Sequence, residues 1–549
     1  MALTKVTFSM IEGACVNVLD YGAVGDGVAN DAAAIAAAVA TGSNVYLPKG
    51  TYYYNSNTPT QLNTGQIVFG DGQGQTVIKA GTDAAGSYGI LYASAKNYVG
   101  VHSLTLDGNS TVSGVAVGGD RSLLRFSACN DVSLYDIEIK NYGQKEGGTI
   151  PPASGPGGEG PEEYAWAVGF GGCTRVSLED IYLHDCYVEG LAVYNCRAVD
   201  CSNFRGYLGT GNCSTPLHIA AFGDVNFSKY ININNVFIDG STGSAFNLTG
   251  EYINAANITV FNPGSVGIDS SDEGLTAGQH CLNLNYTNIS ITGDVAVNKS
   301  YFGLVCVGNN VNLSNVSAKY CGQNILLGAT GTPTSGYSLT NCSSTESIDK
   351  DSAALDHNLV VADASNITID SGLFQTTETG ANCRLQSCDT IRFSKCKFLD
   401  GAGGNISQTA TQFAWIEHCA FDQTDVAAYA GSQINSSDGA SPVGTTANIW
   451  LTANYFVGST AADAVSLPKG ANVYVHNNVN ANVNVSKNLV YMDTYDISDV
   501  VSDNAAALTY LNPIDFRNGF VWVSSAGKLY IKSTRPTNDT DGTVVGTQT

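Results

Sequence analysis

The sequence contains little basic charge. Its 549 residues include 25 Lys and Arg against 48 Asp and Glu, which gives a formal net charge of −23. Phosphate contacts need clustered Lys and Arg, so this balance argues against nucleic acid as a partner and against an anionic membrane bound through a basic face. Solubility explains the charge, and a preference for neutral or cationic ligands is the second interpretation.

Long apolar runs are also absent. Nowhere do about 18 apolar residues follow one another, as a membrane-spanning helix requires. The first residues, MALTKVTFSMIEGACVNV, lack the apolar core of a secretion signal. We therefore expect a chain that is made in a cytoplasm without an export signal and is not inserted into a membrane.

Metal-binding cysteine pairs are missing, since the 15 cysteines form no Cys-x-x-Cys motif. This spacing argues against zinc. Cys201, Cys342, Cys396 and Cys419 instead occupy strand or near-corner positions of the repeat described below. Buried thiols explain this placement better than a disulfide framework.

Charged residues and prolines are scarce, whereas glycine is abundant. The chain is 13% charged and 43% hydrophobic, with 13 prolines and 61 glycines. This composition fits many tight turns between short strands and does not fit a disordered chain.

A short pattern recurs along most of the chain. In VSLEDIYL (Val176–Leu183), two pairs of alternating apolar and polar residues flank a polar residue that behaves like a corner. Successive copies start 22 to 44 residues apart, as expected for coils of constant circumference with loop insertions. The other copies start at Val99, Val132, Val199, Ile231, Ile253, Leu284, Val311, Tyr337, Ile367, Ile391, Ala414, Ile449 and Val473.

Asparagine occupies the corner in six successive copies. Stacked asparagine side chains hydrogen-bond along a ladder with a step of about 4.8 Å. The pattern therefore predicts an all-β solenoid, a right-handed single-stranded parallel β-helix in which each coil buries its apolar face against the next. The six corner residues are Asn203, Asn235, Asn257, Asn288, Asn315 and Asn341.

A short helix is predicted before the first coils. Asn30 is a suitable N-cap, Asp31 lies in the first turn, and the alanine-rich body ends at Thr41–Gly42. Such a helix would cover the open end of the coil stack, which otherwise exposes a sheet edge.

The same region resembles a known family. VLDYGAVGDG (Val18–Gly27) and VYLPKGTYY (Val45–Tyr53) resemble the opening of the pectate-lyase-like β-helix superfamily. LTKVTFSMIEGA (Leu3–Ala14) resembles the openings of bacteriophage tailspike and capsule depolymerase chains. The resemblance implies a virion tail protein, a homotrimer held to a phage tail or baseplate protein, that degrades bacterial surface polysaccharide outside the cell.

Four segments are predicted from these features. Residues 1–16 form an N-terminal arm and residues 17–98 the capping helix with the first strands. Residues 99–490 form the β-helix, and residues 491–549 a small C-terminal β module that includes a hairpin over Phe520–Ser533. Long insertions between residues 140 and 301, the longest after Tyr142, predict a groove there.

Acidic residues in this region are candidates for catalysis. Glycoside hydrolysis uses two carboxyl groups about 5–9.5 Å apart, a spacing that stacked coils provide. Glu251 and Glu273 each follow a corner asparagine by 16 residues. With Asp272, Asp224 and, as a lesser member, Asp269, they would form an acidic column, and the alternative is that they are solvated turn residues.

Aromatic and basic residues are the candidates for binding sugar. Aromatic rings stack on the apolar face of a pyranose, and Tyr164 and Trp166, which close the longest insertion, are expected to be the most exposed. Core packing is the alternative for each ring. The complete set is Tyr164, Trp166, Tyr207, Phe222, Tyr252, Arg205 and His280.

Three functions remain open at this point. The first is a glycoside hydrolase with paired carboxylates, which requires no cofactor and no metal. The second is a polysaccharide lyase acting on uronic acids, for which calcium and a basic residue such as Arg197, Arg205, His218 or His280 would be expected. The third is a fibre that only binds glycan.

Overall fold

The computed structural model describes most of the chain. The described residues are 15–81, 89–109, 122–143, 166–187, 189–209, 213–220, 228–271, 281–293, 301–348, 356–424, 432–436, 448–457, 465–466, 472–479, 489–492, 514–516, 519–523, 528–532 and 543–547. The chain divides into two compact units between Cys321 and Gly322.

The first unit is built almost entirely from strands. Its described residues include a 3-10 helix (Val18–Tyr21) and an α-helix, α1 (Ala32–Val39). Its strands are β1 (Val16–Asn17), β2 (Asp26–Asn30), β3 (Val45–Tyr46), β4 (Gly50–Tyr54), β5 (Thr60–Gln61), β6 (Ile67–Phe69), β7 (Thr76–Ala80), β8 (Leu91–Ser94), β9 (Asn97–Asp107), β10 (Leu124–Ser127), β11 (Asn130–Lys140), β12 (Trp166–Gly171), β13 (Thr174–His184), β14 (Glu189–Tyr194), β15 (Arg197–Tyr207), β16 (Leu217–Ala220), β17 (Lys229–Asp239), β18 (Ser244–Leu248), β19 (Glu251–Phe261), β20 (Val266–Ser270), β21 (Cys281–Thr292), β22 (Phe302–Cys306) and β23 (Gly308–Lys319).

From β8 onward, each coil of this unit contains one short strand followed by one long strand. The short strands β8 to β22 form one parallel sheet, the short sheet, and the long strands β9 to β23 form a second parallel sheet, the long sheet. Equivalent residues stack in register, as where Val132 pairs with Val99 on one side and Val176 on the other. The predicted parallel β-helix is confirmed.

The long strands change face at their corner. On β17, Ile231 and Ile233 are buried before the corner and Val236 and Ile238 after it. The alternation therefore skips one residue at Asn235, whose φ of 58° lies in the left-handed region. This bend lets one strand supply apolar side chains to two walls of the same core.

The corner asparagines form the predicted ladder. Asn203, Asn235, Asn257, Asn288 and Asn315 occupy equivalent register positions, with φ between 54° and 58°. Nδ2 of Asn235 donates to Oδ1 of Asn203 at 2.7 Å, and Asn288 and Asn315 donate to Asn257 and Asn288 at 3.0 and 3.1 Å. The ladder shifts by one residue at Asn257, whose Nδ2 donates to Oδ1 of Asn234 at 2.8 Å. Asparagine suits this position because it tolerates the left-handed conformation and bonds along the axis.

Replacing Asn288 separates the contribution of the ladder hydrogen bonds to stability from that of the left-handed backbone conformation. We expect Asn288→Ala to lower the free energy of unfolding by about 1–2 kcal/mol, because it loses both ladder bonds and strains the backbone. Asn288→Gly loses the same bonds without the strain, so it should be less destabilising than the alanine variant. Urea unfolding midpoints of the three proteins measure this, and equal midpoints for alanine and glycine would refute the conformational part.

The predicted N-terminal helix is present. Ile35 and Ala38 are completely buried on its inner face, and the amide of Ala32 donates to Oδ1 of Asn30 at 3.2 Å. Asp31 caps the helix without a side-chain hydrogen bond to it, because its carboxylate accepts instead from the amides of Val24 and Gly25. The alanine-rich sequence thus forms a helix that packs through small side chains.

The cysteines are free thiols, and all except the half-buried Cys15 are buried. Cys129, Cys173 and Cys196 lie on consecutive coils at the turn between the short and long sheets, where strand hydrogen bonds link their carbonyls to the next coil. Burial raises the pKa of Cys201 to about 12, so this thiol stays protonated at neutral pH. The prediction of interior thiols is confirmed.

The second unit is built from shorter strands. Its strands are β24 (Gln323–Leu327), β25 (Thr334–Thr340), β26 (Ser343–Ser347), β27 (His357–Ala362), β28 (Ala364–Asp370), β29 (Leu373–Thr377), β30 (Cys383–Gln386), β31 (Asp389–Ser394), β32 (Lys397–Leu399), β33 (Ile406–Thr409), β34 (Phe413–Glu417), β35 (Ala420–Asp422), β36 (Ile434–Ser436), β37 (Asn448–Thr452), β38 (Tyr455–Val457), β39 (Val465–Ser466), β40 (Asn472–His476), β41 (Leu489–Met492), β42 (Ile514–Phe516), β43 (Gly519–Val523), β44 (Lys528–Lys532) and β45 (Thr543–Thr547).

Three parallel strand columns form the coils of this unit, and the corner residue lies between separate strands. Asn341, for example, lies between β25 and β26 with φ of 52°. Strands β42 to β45 form an antiparallel sheet in which β43 and β44 are the predicted hairpin, so the C-terminal β module is confirmed. The four predicted segment boundaries stay predictions.

A second amide ladder lies inside this unit. Nδ2 of Asn358 donates to Oδ1 of Asn382 at 2.7 Å, and Nδ2 of Asn382 donates to Oδ1 of Asn405 at 2.7 Å. All three side chains are completely buried, and both amides also donate to backbone carbonyls. This ladder is not predictable from the sequence, because a buried asparagine has no periodic signature that separates it from a turn residue.

Candidate functional site

The outer face of the short sheet carries polar side chains that are almost fully buried. Leu191 and Val193 of β14 point into the coil core, so Ala192 and Tyr194 lie on the opposite face. In register with Ala192, the following strands place His218, Asn247 and Asp269. Each is at most 8% exposed, which is unusual for polar groups on an outward face.

Tyr194, His218 and Glu189, the first residue of β14, form a hydrogen-bonded cluster. Oη of Tyr194 lies 3.0 Å from Nδ1 of His218 and 3.3 Å from Oε2 of Glu189. Nδ1 of His218 lies 3.3 Å from Oε1 of Glu189. A phenol, an imidazole and a carboxylate within mutual reach can hold and transfer a proton.

An aromatic wall stands beside this cluster. The ring of Tyr194 lies 5.1 Å from that of Trp166 and 4.9 Å from that of His218, measured between centroids. Gly169 makes room for the indole, because a Cβ there would lie 1.8 Å from Nε1 of Trp166. Trp166 is only 8% exposed, so the prediction that it is among the most exposed aromatic residues was wrong.

Asp269 lies two strands beyond His218 on the same face. Its Oδ1 accepts from the amide of Ser271 at 2.8 Å and from the Ser271 hydroxyl at 2.5 Å. Two strand steps correspond to about 10 Å. Asp269 is therefore a second acidic group on the face, outside direct hydrogen-bonding range of His218.

Glu251 and Tyr252 lie at the start of β19, where the chain turns from the short to the long sheet. Oε2 of Glu251 forms an ion pair with Nζ of Lys229 at 2.9 Å. The ring of Tyr252 stacks on Tyr230, with centroids 5.1 Å apart and an angle of 12°. Both tyrosines have left-handed backbones, with φ of 58° and 60°. Arg175 and Ala198, at the same position of the preceding long strands, have φ of 56° and 55°, so this conformation belongs to the turn of each coil and does not by itself mark a binding site.

The strand register differs from the one used to predict an acidic column. The residue beside Glu251 on the next coil is Leu282, because nine residues between Ser271 and Cys281 lengthen that coil. Counting from the corner asparagines therefore does not place Glu273 beside Glu251. The predicted residues Asp224, Asp272, Glu273, Tyr164, Phe222 and His280 lie outside the described residues.

Arg205 and Tyr207 are not part of the short-sheet face. They lie on the outer face of β15 in the long sheet, where the Arg205 guanidinium stands over the Tyr182 ring at 5.3 Å. The structure thus distributes the described candidates over three surfaces. Trp166 and Asp269 lie on the short sheet, Glu251 and Tyr252 at the turn, and Arg205 and Tyr207 on the long sheet.

The sequence presents His218 as a possible base, but it does not single out Tyr194. Glu189 was not predicted either, since it is a lone acid before the apolar run Gly190–Val193. The three residues meet because β14 and β16 are adjacent in the short sheet, although His218 follows Tyr194 by 24 residues. The sequence signal that could have identified Glu189 is an acidic residue at the start of a strand whose other residues are buried.

A second ionisable cluster lies on the outer face of the long sheet. Nε2 of His184 bonds to Oε1 of Glu138 at 3.0 Å, and Nδ1 bonds to Oδ2 of Asp185 at 2.6 Å. Oε2 of Glu138 also accepts from Thr105 at 2.6 Å and forms an ion pair with Lys140 at 3.4 Å. Two carboxylates on one imidazole stabilise its protonated form.

The pKa values of these groups follow from the contacts. The hydrogen bond to His184 lowers the pKa of Glu138 from 4.5 to about 2, with further contributions from the Thr105 hydrogen bond and the Lys140 charge. The hydrogen bond to Glu138, together with that to Asp185, raises the pKa of His184 above its ordinary 6.5. Both residues are therefore charged over a wide pH range.

The stability that the cluster of His184 and Glu138 contributes should decrease at both high and low pH. The raised pKa of His184 gives a contribution that is complete below pH 6.5 and is lost as pH rises through its folded pKa. The lowered pKa of Glu138 gives one that is complete above pH 4.5 and is lost as pH falls toward about 2. The difference in Tm between the parent and His184→Gln should thus be largest between pH 4.5 and 6.5.

His102→Gln provides a control for which the pH dependence of the stability contribution should be reversed. Burial lowers the pKa of His102, so its contribution is present above pH 6.5 and is lost as pH falls. Thermal unfolding followed by circular dichroism across the pH range measures both. A Tm difference for His184→Gln that does not vary with pH would contradict the assigned charges.

Neither metal ligation nor membrane insertion is indicated by the part of the chain that the structure describes. No group of three or more His, Cys, Asp or Glu side chains there is arranged to hold a metal ion. The described helices include none of sufficient length and apolar character to cross a bilayer.

Comparisons with known proteins agree with this architecture. Residues 15–154 match the family model described as rhamnogalacturonase A/epimerase, pectate lyase-like. The pre-neck appendage protein of Bacillus phage phi29 is 29% identical over 247 residues, which cover 40% of this chain and 29% of that protein. Mannuronan C5-epimerase AlgE5 of Azotobacter vinelandii is 36% identical over 141 residues, 23% of this chain and 14% of the epimerase.

The solved structures include the pre-mature gene product 12 of bacteriophage phi29. It is 14% identical, with a TM-score of 0.44, over 97% of this chain and 82% of that chain. In the sequence comparisons, this chain spans less than a third of the length of the phi29 pre-neck appendage protein and of the AlgE5 epimerase. The family match confirms the predicted resemblance to pectate-lyase-like β-helix proteins.

Proposed function

We propose that this chain, whose residues 15–154 match a pectate-lyase-like family model and which is similar in part to a phage appendage protein, binds and degrades a bacterial surface polysaccharide as part of a virion. The relatives named as acting on polysaccharide support the substrate class. The proposal includes a homotrimer held by the C-terminal module and attached to a tail or baseplate protein through residues 1–16.

The cluster of Tyr194, His218 and Glu189 carries the proposal for the chemistry. A hydrogen bond from Nδ1 of His218 to Glu189 would fix the tautomer that leaves Nε2 as the base. Tyr194 Oη would then supply or accept a second proton. This arrangement suits removal of the proton on the carbon that bears a sugar carboxylate.

Two outcomes follow proton removal from such a uronic acid residue. In β-elimination, the electrons of the broken C–H bond form a C=C bond while the neighbouring C–O bond to the next sugar breaks, and the leaving oxygen takes a proton. In epimerisation, a proton returns to the same carbon from the opposite side. Elimination cuts the chain, and it is the reaction proposed here. Calcium is proposed only as an aid to this reaction.

Glycoside hydrolysis is the second candidate, because the short sheet carries more than one acidic side chain. Glu189 and Asp269 are two acidic side chains on the same buried face. Three strand steps separate their strands, β14 and β20, which is roughly 14 Å and exceeds the upper limit of about 9.5 Å for inverting hydrolases, so this pair does not by itself supply the two carboxylates. Glu251, with Asp224, Asp272 and Glu273 from outside the described residues, is the alternative source of the two carboxylates. A fibre that binds glycan without cleaving it is the third candidate.

Product analysis distinguishes these reactions. The full chain is incubated in deuterated buffer with polymannuronate and with purified capsular polysaccharides that contain or lack uronic acids. Unsaturated uronate absorbance supports elimination, new reducing ends without that absorbance support hydrolysis, and deuterium at C5 without cleavage supports epimerisation. Binding to every polymer without any product would overturn the enzymatic proposal.

A further inference from the structure

The outer face of the long sheet presents aromatic and charged side chains in alternation. Beyond the corner, two outward columns run along the coils. One column contains Glu138, Tyr182, Arg205 and Phe237 in register, and the neighbouring one contains Lys140, His184, Tyr207, Asp239 and Phe261. Rings and charges therefore lie side by side on successive coils, at a step of about 4.8 Å.

The rings at the centre of this surface are exposed. Tyr207, Phe237 and Phe261 are 48%, 40% and 36% exposed, and the rings of Phe237 and Phe261 lie 5.9 Å apart. Single exposed rings are ordinary on a protein surface, but several on neighbouring coils, two of them in contact, are typical of a binding surface.

Arg205 lies between these rings. Its neighbours in register are Tyr182 and Phe237, and it is exposed. Lys140 and His184 are bound to Glu138, whereas no carboxylate among the described residues lies within ion-pairing distance of Arg205. Its guanidinium is held over the Tyr182 ring with donors available to an incoming acidic group.

We propose that Tyr182, Arg205, Tyr207, Phe237 and Phe261 form a glycan platform, a second binding surface for a carboxylate-bearing polysaccharide. The sugar chain runs along the coil axis, its apolar faces stack on the rings, and one sugar carboxylate binds Arg205 through paired hydrogen bonds. The platform rests on the proposed function insofar as the ligand is a surface polysaccharide. It belongs to the long sheet and is separate from the cluster of Tyr194, His218 and Glu189.

The charges on this surface favour an acidic glycan over a second copy of the chain. Interface cores are depleted in charged residues, whereas here Arg205 and Asp239 lie between the exposed rings. Glu138, Asp185 and Asp239 are offset by Lys140, Arg205 and the His184 imidazolium. This surface is thus close to neutral, so it repels a polyanion less than the net charge of −23 for the whole chain would suggest.

Binding measured in an inactive background tests the platform. The full chain carrying His218→Gln is compared with the same chain carrying Arg205→Ala or Phe237→Ala in addition, on an immobilised acidic capsular polysaccharide and on a neutral one. Arg205→Ala should weaken binding of the acidic polymer about tenfold, and increasingly so at low salt, with little effect on the neutral polymer. Phe237→Ala should weaken binding of both.

Matched controls are Tyr135→Ala, an equally exposed ring on the other half of β11, and Arg392→Ala, whose guanidinium forms an ion pair with Glu417. Neither should alter binding. Equal binding by all variants would overturn the platform, and so would a change of oligomeric state in sedimentation experiments, which would identify the occupant as a second copy.

The same experiment separates the platform from the proposed enzyme. If binding depends on Arg205 while the parent makes no product from any polymer, the platform stands and the enzymatic proposal fails. If the parent makes product while the platform variants bind normally, the platform alone fails.

Discussion

Replacing His218 with glutamine should slow polysaccharide turnover by about 100-fold to 10,000-fold, the range expected for loss of a general base. Glutamine approximates the size of the imidazole and retains hydrogen-bonding groups for Tyr194 and Glu189, but it cannot take up a proton at neutral pH. His218 is 6% exposed, so bulk water is poorly placed to replace the base. Initial rates at saturating polymer measure the loss.

Replacing Tyr194 or Glu189, the partners of His218, should reduce turnover less than replacing His218 itself. Tyr194→Phe removes one hydroxyl and leaves the ring packed on Trp166, so it tests proton transfer by the phenol without disturbing the aromatic wall. Glu189→Gln changes the partner of Nδ1 and should shift the pH profile more than it alters KM. His476→Gln, an exposed histidine of the second unit, is the control. A rate for His218→Gln within threefold of the parent would exclude His218 as the base.

Most of the fold is predictable because its cause is periodic. Residues such as Ile231, Ile233, Val236 and Ile238 alternate and then skip one residue, and only a bend at Asn235 keeps all four buried. The same signal repeats in each coil, so local errors cancel along the chain. The short strands are less visible, since β16 and β22 have only four and five residues and are buried on both faces.

The candidate site was less predictable because it depends on where insertions fall. Glu251 was aligned with Glu273 by counting from Asn235 and Asn257, but the longer next coil puts Leu282 in that place. Glu189 and His218 have no shared spacing that predicts their contact. Such a pair becomes visible only when the strand register is known.

The largest loss of stability should come from the interior of the second unit, where Phe398→Ala is expected to cost about 3–5 kcal/mol. Phe374, Phe398 and Phe421 stack on consecutive coils, with centroids 5.3 and 5.0 Å apart. All three rings are completely buried, and Phe393 packs against Phe398 edge-on at 5.4 Å.

The effect should be large because the stack has little freedom to close the gap. Strand hydrogen bonds fix the coil spacing, so the rings of Phe374 and Phe421 cannot move together to fill the cavity left by Phe398. Phe398→Leu retains most of the volume and should lose clearly less than the alanine variant. Tyr455→Ala, which removes a ring that is 51% exposed, should change stability by no more than about 0.5 kcal/mol.

Denaturant unfolding, combined with amide hydrogen exchange in β29, β32 and β35, measures these differences. Exchange locates the loss, because protection should fall in the strands that carry the stacked rings before it falls in β13 and β15 of the first unit. A loss below about 1 kcal/mol for Phe398→Ala would mean that the stack relaxes around the cavity. The coil spacing would then not be rigid enough to keep the rings of Phe374 and Phe421 apart.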